Sequence, residues 1–168
     1  AGVGALQVLR DEGFSVECFE RNDRVGGHWH TDYESLHLIT PRDSSGFEGF
    51  PMPSEYPLFP SRDEMLDYIV GFAAEQGLGS LIRFNTEVTS ARPLDENGLA
   101  GWEVATSDGE RRIYDGVIVA NGHLWDPFAP DYPGHFAGRV LHSGRYRNPG
   151  DIDGDRVLVV GAGNSGCD

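Results

Sequence analysis

The stretch Arg156–Asp168, RVLVVGAGNSGCD, decides how the rest of the chain is read. Its first part, Val157–Val160, is an unbroken run of apolar residues, three of them β-branched, the pattern of a strand buried on both faces of a parallel sheet. Gly161, Gly163 and Gly166 then follow as G-x-G-x-x-G. In a dinucleotide site the first glycine makes a tight turn, the second lets backbone approach a pyrophosphate, and the third lets the next helix pack close to the strand. The phosphates would rest on free N–H groups at that helix's N-terminus. Glycine-rich turns after strands are common, so the remaining sequence has to support this reading.

Composition sets the limits. The 168 residues suffice for one domain with a sizeable core. Glycine, with 23 residues, is about twice as frequent as in an average protein, which favours turns and close backbone approaches. A formal net charge of -14 argues against a nucleic-acid or anionic-membrane surface, so an anionic cofactor would have to be held locally. No apolar run is long enough for a membrane span and no signal peptide is visible. The two cysteines, Cys18 and Cys167, form neither a disulfide framework nor a C-x-x-C pair, which suits a reducing, cytoplasmic setting.

Working outward to the N-terminus, Val3, Leu6 and Leu9 fall at helical spacing, with Gly13 placed to end the helix. A strand is expected over 15–19, ending at Glu20. If Gly2 is the third glycine of a fingerprint, an acid about 20 residues on should accept hydrogen bonds from a ribose; Glu20 stands there, though a surface glutamate at a strand end reads the same. Gly26 and Gly27, followed by His28 and Trp29, suggest backbone against a flat ligand or a simple turn with a half-buried Trp29. Residues 40–60 are dense in proline and aromatics, a long loop of the kind that is either functional or wraps the domain. Ser61 and Glu64 form a capping box opening a helix with Met65, Leu66, Ile69, Phe72 and Ala73 on its core face. Three antiparallel strands are expected next, over 82–92, 101–107 and 111–113, with turns at Asn97-Gly98 and Asp108-Gly109. A fully buried strand over 117–120 should then end at the turn Asn121-Gly122-His123. Residues 127–149 read as a connection between two nucleotide-binding units.

Within that connection, Phe136, Gly138, His142 and Tyr146 make F-x-G-x-x-x-H-x-x-x-Y. This resembles the signature of the flavin-containing monooxygenases, and it lies just upstream of GAGNSGCD as in that family. FERNDRVGGHW resembles the family's acidic ribose residue and Gly-Gly-x-Trp turn, and FPMPSEYPLFPSRDEMLDYI its proline-rich segment and helix. VIVANGHLWDP resembles its strand and A-T-G turn, with Asn121 in place of threonine. The resemblance covers essentially the whole chain.

It implies an α/β fold of two dinucleotide-binding, Rossmann-like units: residues 1–150 as an FAD-binding domain lacking its first strand, with an antiparallel β-meander inserted at about 82–113, and residues 151–168 as the start of an NADPH-binding domain. FAD contacts would fall at Gly2, Glu20, Gly27, His28, Trp29, Ile39, Thr40, Asn121 and Gly122, and at Val88 through its backbone to the adenine. NADPH contacts would fall at Gly161, Gly163, Asn164, Ser165, Gly166, Cys167 and Asp168. The implied reaction reduces FAD with NADPH, captures O2 as a C4a-hydroperoxyflavin and passes one oxygen to a nucleophilic nitrogen or sulfur of a small molecule, in a protein that could be a homodimer. The chemistry then belongs to the cofactor, and no catalytic side chain or metal site is expected. His142 reads as a structural hydrogen-bonding residue before it reads as an acid or base. One departure stands out: mammalian-type members carry an asparagine beside the flavin where this chain has Ile39 and Thr40, which puts amine N-oxygenation in doubt. A Baeyer–Villiger monooxygenase is the alternative enzyme, but its signature ends in Trp followed by Pro or Asp, where this chain has Tyr146-Arg147. The non-enzymatic alternative is a degenerate flavin-binding domain.

Both ends read as cut, since the chain opens inside a helix and stops one turn into another. Removing the first strand of a doubly wound sheet leaves inner edges unpaired. The isolated 168 residues are therefore expected neither to unfold cooperatively nor to retain FAD; a sharp thermal transition with stoichiometric flavin would refute this.

Overall fold

A computed structural model describes residues 1–96, 99–122 and 126–167. The expected turn at Asn97-Gly98, His123 and Asp168 lie outside the described residues. The elements in chain order are α1 (Gly2–Asp11), β1 (Cys18–Phe19), the short α2 (Arg42–Ser45), α3 (Arg62–Glu75), β2 (Ile82–Arg83), β3 (Val88–Glu96), β4 (Leu99–Thr106), β5 (Arg111–Tyr114) and the single turn α4 (Asn164–Cys167). They fall into two compact units, Ala1–Gly27 with Ile69–Asn121, and His28–Tyr68 with Gly122–Asp168.

In the first unit α1 ends as its sequence requires. Gly13 adopts φ +83°, its N–H reaches the Arg10 carbonyl at 3.0 Å, and the Phe14 N–H reaches Leu9 at 3.0 Å, the paired bonds of a Schellman motif. Leu6, Phe72, Ala73, Leu78 and Ile82 are buried here. β1 and β2 pair in parallel, Cys18 opposite Ile82 and Phe19 opposite Arg83. β3, β4 and β5 form an antiparallel meander, with Gly109 at φ +88° in the Asp108-Gly109 turn. Pro93 sits inside β3, opposite Trp102; it is tolerated because β3 pairs on one side only.

The second unit is organised on the first half of α3. Ser61 and Glu64 form the expected capping box, the Ser61 N–H donating to the Glu64 carboxylate at 2.8 Å and the Glu64 N–H to the Ser61 hydroxyl at 3.4 Å. Tyr68, a core residue that the apolar pattern of α3 leaves out, is 3 % exposed. Its hydroxyl donates to the Phe50 carbonyl at 2.5 Å and accepts from the Phe47 N–H at 2.6 Å, and its ring stacks on Phe47 at 5.6 Å. A polar tip with both hydrogen-bonding capacities used is what makes tyrosine stable in such a place. Arg42 donates to the carbonyls of Ser54, at 2.8 Å, and of Tyr56, tying the proline-rich loop onto itself.

Four strand expectations need correction. The strand over 15–19 is reduced to Cys18–Phe19. The strand over 82–92 divides: Ile82–Arg83 joins the parallel pair, and the meander strand runs from Val88 to Glu96. Asn85, at φ +53°, turns the chain between them. The runs at 117–120 and 157–160 form no strand. Ile118 and Val119 are 61 % and 75 % exposed, and Val157 to Val160 are 57–80 % exposed. Hydrophobic periodicity marks a segment suited to a sheet, but a strand exists only where a neighbour accepts its hydrogen bonds, and no described segment pairs with these two.

A charged cluster links β5 to the residue before β1. The Tyr114 hydroxyl and Arg112 both donate to the Glu17 carboxylate. The hydrogen bond from Tyr114, then Arg112, holds Glu17 below the ordinary glutamate value. Burial, and then that hydrogen bond, pushes Tyr114 up to about 12. The Glu17 contribution is thus present above the carboxylate's unfolded value and lost as pH falls. The Tyr114 contribution is present below the phenol's unfolded value of about 10 and lost as pH rises toward 12. Tyr114→Phe should lower the urea midpoint of the intact protein at neutral pH, and the gap to wild type should close below about pH 4 and above about pH 10. A gap independent of pH would show that the hydroxyl's bond to Glu17 is not its cause.

Candidate functional site

The residues expected to hold the first cofactor in the first unit are Gly2, Glu20, Gly27, Val88 and Asn121. α1 starts at Gly2 with no side-chain cap and no acid in its first turn, so its leading N–H groups face no competing side-chain charge. A Cβ on Gly2 would lie 3.6 Å from that of Ala120, an ordinary contact that sets the helix start beside the run leading to Asn121. Glu20 follows β1 directly; its N–H donates to the Arg83 carbonyl and its own carbonyl accepts from the Thr86 N–H, both at 3.0 Å. Burial, then the charge of Glu20, pushes the Cys18 thiol up, which keeps it protonated and unreactive. Val88 opens β3 and is 42 % exposed.

In the second unit, His28 and Trp29 lie in a 3-10 turn, Gly27–His30. Gly26 and Gly27 enter it at φ +125° and +56°, conformations that glycine adopts without steric cost. The His28 ring lies 4.9 Å from that of Trp29, and its Nδ1 pairs with the Asp32 carboxylate. The Asp32 carbonyl in turn accepts from Arg62 at 2.7 Å. Ile39 is 68 % exposed, and the Thr40 hydroxyl bonds that of Ser45 at 2.7 Å. The Leu38 N–H donates to Pro60 at 2.8 Å and the Arg42 N–H to Leu58 at 2.9 Å, so the Ile39-Thr40 segment is anchored on both sides.

At the glycine turn, Gly161 adopts φ +122° and the Gly166 N–H donates to the Gly163 carbonyl at 2.9 Å. A Cβ on Gly166 would meet the Gly161 carbonyl oxygen at 2.7 Å, while one on Gly163 would meet nothing within 4 Å. The third glycine is therefore demanded by close packing of helix on turn, and the second leaves its face open. Asn164, Ser165, Gly166 and Cys167 form α4; the Cys167 thiol points to the Ala162 carbonyl at 3.8 Å.

The F-x-G-x-x-x-H-x-x-x-Y residues are each accounted for by local packing. The Phe136 ring occupies the space a Gly138 side chain would need, 2.6 Å from a Cβ built there. His142 Nδ1 accepts from the Gly144 N–H at 3.0 Å, which places the ring proton on Nε2, 3.3 Å from the Phe128 carbonyl. Tyr146 lies 6.0 Å from Tyr33. Just beyond it, the Arg147 carbonyl accepts from the Glu34 N–H at 2.8 Å and the Asn148 amide donates to Glu34 at 2.9 Å. Asn148 and Asp151 cap the next turn. The structure thus joins the signature's end to the segment after Trp29. Glu34 makes this link, Asp32 and Arg62 hold His28 and its turn, and Arg42 ties the proline-rich loop; these polar residues carry no periodicity that would reveal them in the sequence.

Among known proteins, the chain matches the family described as flavin-binding monooxygenase-like over residues 1–168. It is 38 % identical to flavin-containing monooxygenase 3 of Rattus norvegicus and 36 % identical to dimethylaniline monooxygenase [N-oxide-forming] 2 of Macaca mulatta, in both cases over all of this chain. It spans 36 % and 35 % of their lengths. A solved structure of a flavin-containing monooxygenase from Stenotrophomonas maltophilia superposes with a TM-score of 0.85 at 31 % identity, over 98 % of this chain and 48 % of that one. The α/β fold implied by two glycine turns and an inserted meander is the fold these monooxygenases share. This chain belongs to the flavin-binding monooxygenase-like family.

Proposed function

We propose that the intact protein is an FAD- and NADPH-dependent monooxygenase that transfers one atom of O2 to a nucleophilic sulfur or nitrogen of a small molecule. The observation that carries this reading is the Gly161–Gly166 turn, whose close-packed third glycine and open second glycine suit a pyrophosphate, standing directly after the F-x-G-x-x-x-H-x-x-x-Y segment in a chain of this family. In this reading residues 1–150 bind FAD and residues 151–168 begin the NADPH unit.

Bound flavin, reduced by the nicotinamide, supplies the activation of O2. The residues of this chain bind, orient and exclude water. The start of α1 at Gly2 takes the FAD pyrophosphate and Glu20 accepts from the adenosine ribose. The Val88 backbone would meet the adenine, and Gly27, His28, Trp29, Asn121 and Gly122 are the residues that the family resemblance assigns to the flavin side. Gly161 and Gly163 would take the NADPH pyrophosphate, with Asn164, Ser165, Gly166 and Cys167 as the neighbouring contacts. Ile39 and Thr40 offer a methyl-rich surface and one hydroxyl, with no side-chain amide, beside the flavin. A thioether sulfur is soft enough to react without such a donor, which places sulfur ahead of amine nitrogen. Tyr146-Arg147 speaks against ketone substrates, whose enzymes end this signature in tryptophan.

NADPH oxidation by the intact protein should rise on adding a thioether or tertiary amine, with formation of the sulfoxide or N-oxide; flavin binding without hydride acceptance from NADPH would overturn the reading. Gly166→Ala should weaken NADPH binding by about tenfold, from a steric conflict costing 1–3 kcal/mol, with FAD content kept. His142→Ala should cost about 1 kcal/mol of stability by removing the acceptor for the Gly144 N–H, and His142→Asn should restore most of it. A proton-transfer role would instead drop kcat by roughly 10²–10⁴-fold, with asparagine no better than alanine.

A further inference from the structure

The carboxylate of Glu20 is held on one side only. Its Oε1 accepts both the backbone N–H and the side-chain amide of Asn22, each at 2.8 Å. A carboxylate oxygen has two lone-pair sites, so Asn22 saturates Oε1 and orients the group, and Oε2 has no hydrogen-bond partner among the described residues. Asn22 is itself fixed: its carbonyl accepts from the Asn85 N–H at 2.9 Å, while the next residue, Thr86, donates to the Glu20 carbonyl. Asn85 is the one non-glycine residue with positive φ among the described residues. The left-handed region is unfavourable for an ordinary residue and less so for asparagine, and here that turn aims two successive N–H groups at the carbonyls of Glu20 and Asn22. Backbone strain is thus spent on this corner.

We infer that Asn22 is a positioning residue for cofactor binding: it aims the free Oε2 of Glu20 at the vicinal hydroxyls of an adenosine ribose, acting through Glu20 and not on the cofactor itself. This rests on the reading of Glu20 as the ribose residue.

The test measures the dissociation constant of FAD from the apo form of the intact protein, by flavin fluorescence, in Glu20→Ala, Asn22→Ala, Asn22→Ser and the double variant Glu20→Ala with Asn22→Ala. Asn22→Ala should weaken FAD about tenfold, as expected for a lost bond to a charged group, and Asn22→Ser, which keeps a donor, should recover much of this. In the Glu20→Ala background the Asn22 substitution should have no further effect. Equal losses from Asn22→Ala with and without Glu20 would overturn the inference while leaving the ribose role of Glu20 in place. An unchanged FAD affinity in Glu20→Ala would overturn both. Because Asn22 is exposed, its variants should fold; a fall in melting temperature equal in apo and FAD-loaded forms would mark a purely structural role and also overturn the inference.

Discussion

Arg83 is bonded through both its backbone and its side chain, and the first unit depends on that double use. Its carbonyl accepts the Glu20 N–H, extending the β1–β2 pair by one bond beyond the strand. Its guanidinium donates to Glu110 and Asp108 at 2.7 Å each, and lies 5.4 Å from the centre of the Phe19 ring. The parallel pair is only two residues per strand, too short to define an orientation by itself. The meander is fastened to it by Arg83, and by Arg112 and Tyr114 on Glu17. Single surface ion pairs contribute little, but several charges sharing partners around an aromatic ring form a network, where the argument for stability is stronger.

This arrangement explains which features were legible. The helix ends at Gly13 and Ser61 were readable because capping depends on neighbours within four residues. The hairpin turn at Asp108-Gly109 was readable for the same reason. The break of 82–92 into two segments was not, because it turns on Asn85 adopting a left-handed conformation to serve Glu20 and Asn22, residues more than 60 positions earlier in the chain. Likewise Tyr68 belongs to the core for a reason absent from helical periodicity, its hydroxyl satisfying two backbone groups of the proline-rich loop. The expected strands at 117–120 and 157–160 show the complementary failure, where local pattern is strong and the hydrogen-bonding neighbour is missing among the described residues.

The candidate site divides in the same way. Glycine positions were legible because their role is set by local backbone, whereas the residues that orient functional side chains sit at long sequence distance and use ordinary polar types. Asp32 pairs with His28 and is itself held by Arg62; Glu34 receives the backbone and side chain that follow Tyr146. The F-x-G-x-x-x-H-x-x-x-Y pattern identifies the family, but in this structure each of its residues is engaged in packing or in satisfying a turn. A motif can therefore mark a family while its residues also meet local demands of packing and turn geometry.

Gly166, the third glycine of its G-x-G-x-x-G, and Gly2, expected to hold the corresponding place in a first fingerprint, meet different physical demands. At Gly166 an added Cβ would press on the Gly161 carbonyl at 2.7 Å, an atom of the turn itself, so the requirement for glycine is local. At Gly2 the added Cβ would meet only the methyl of Ala120 at 3.6 Å, a contact alanine could make without strain. What Gly2 secures is therefore proximity to a distant segment and not room for its own turn. The distinction follows from where each helix packs: α4 folds back on the loop that precedes it, whereas α1 starts against the run that ends at Asn121. A substitution at Gly2 would consequently be felt through the position of that run, and one at Gly166 through the geometry of the turn alone.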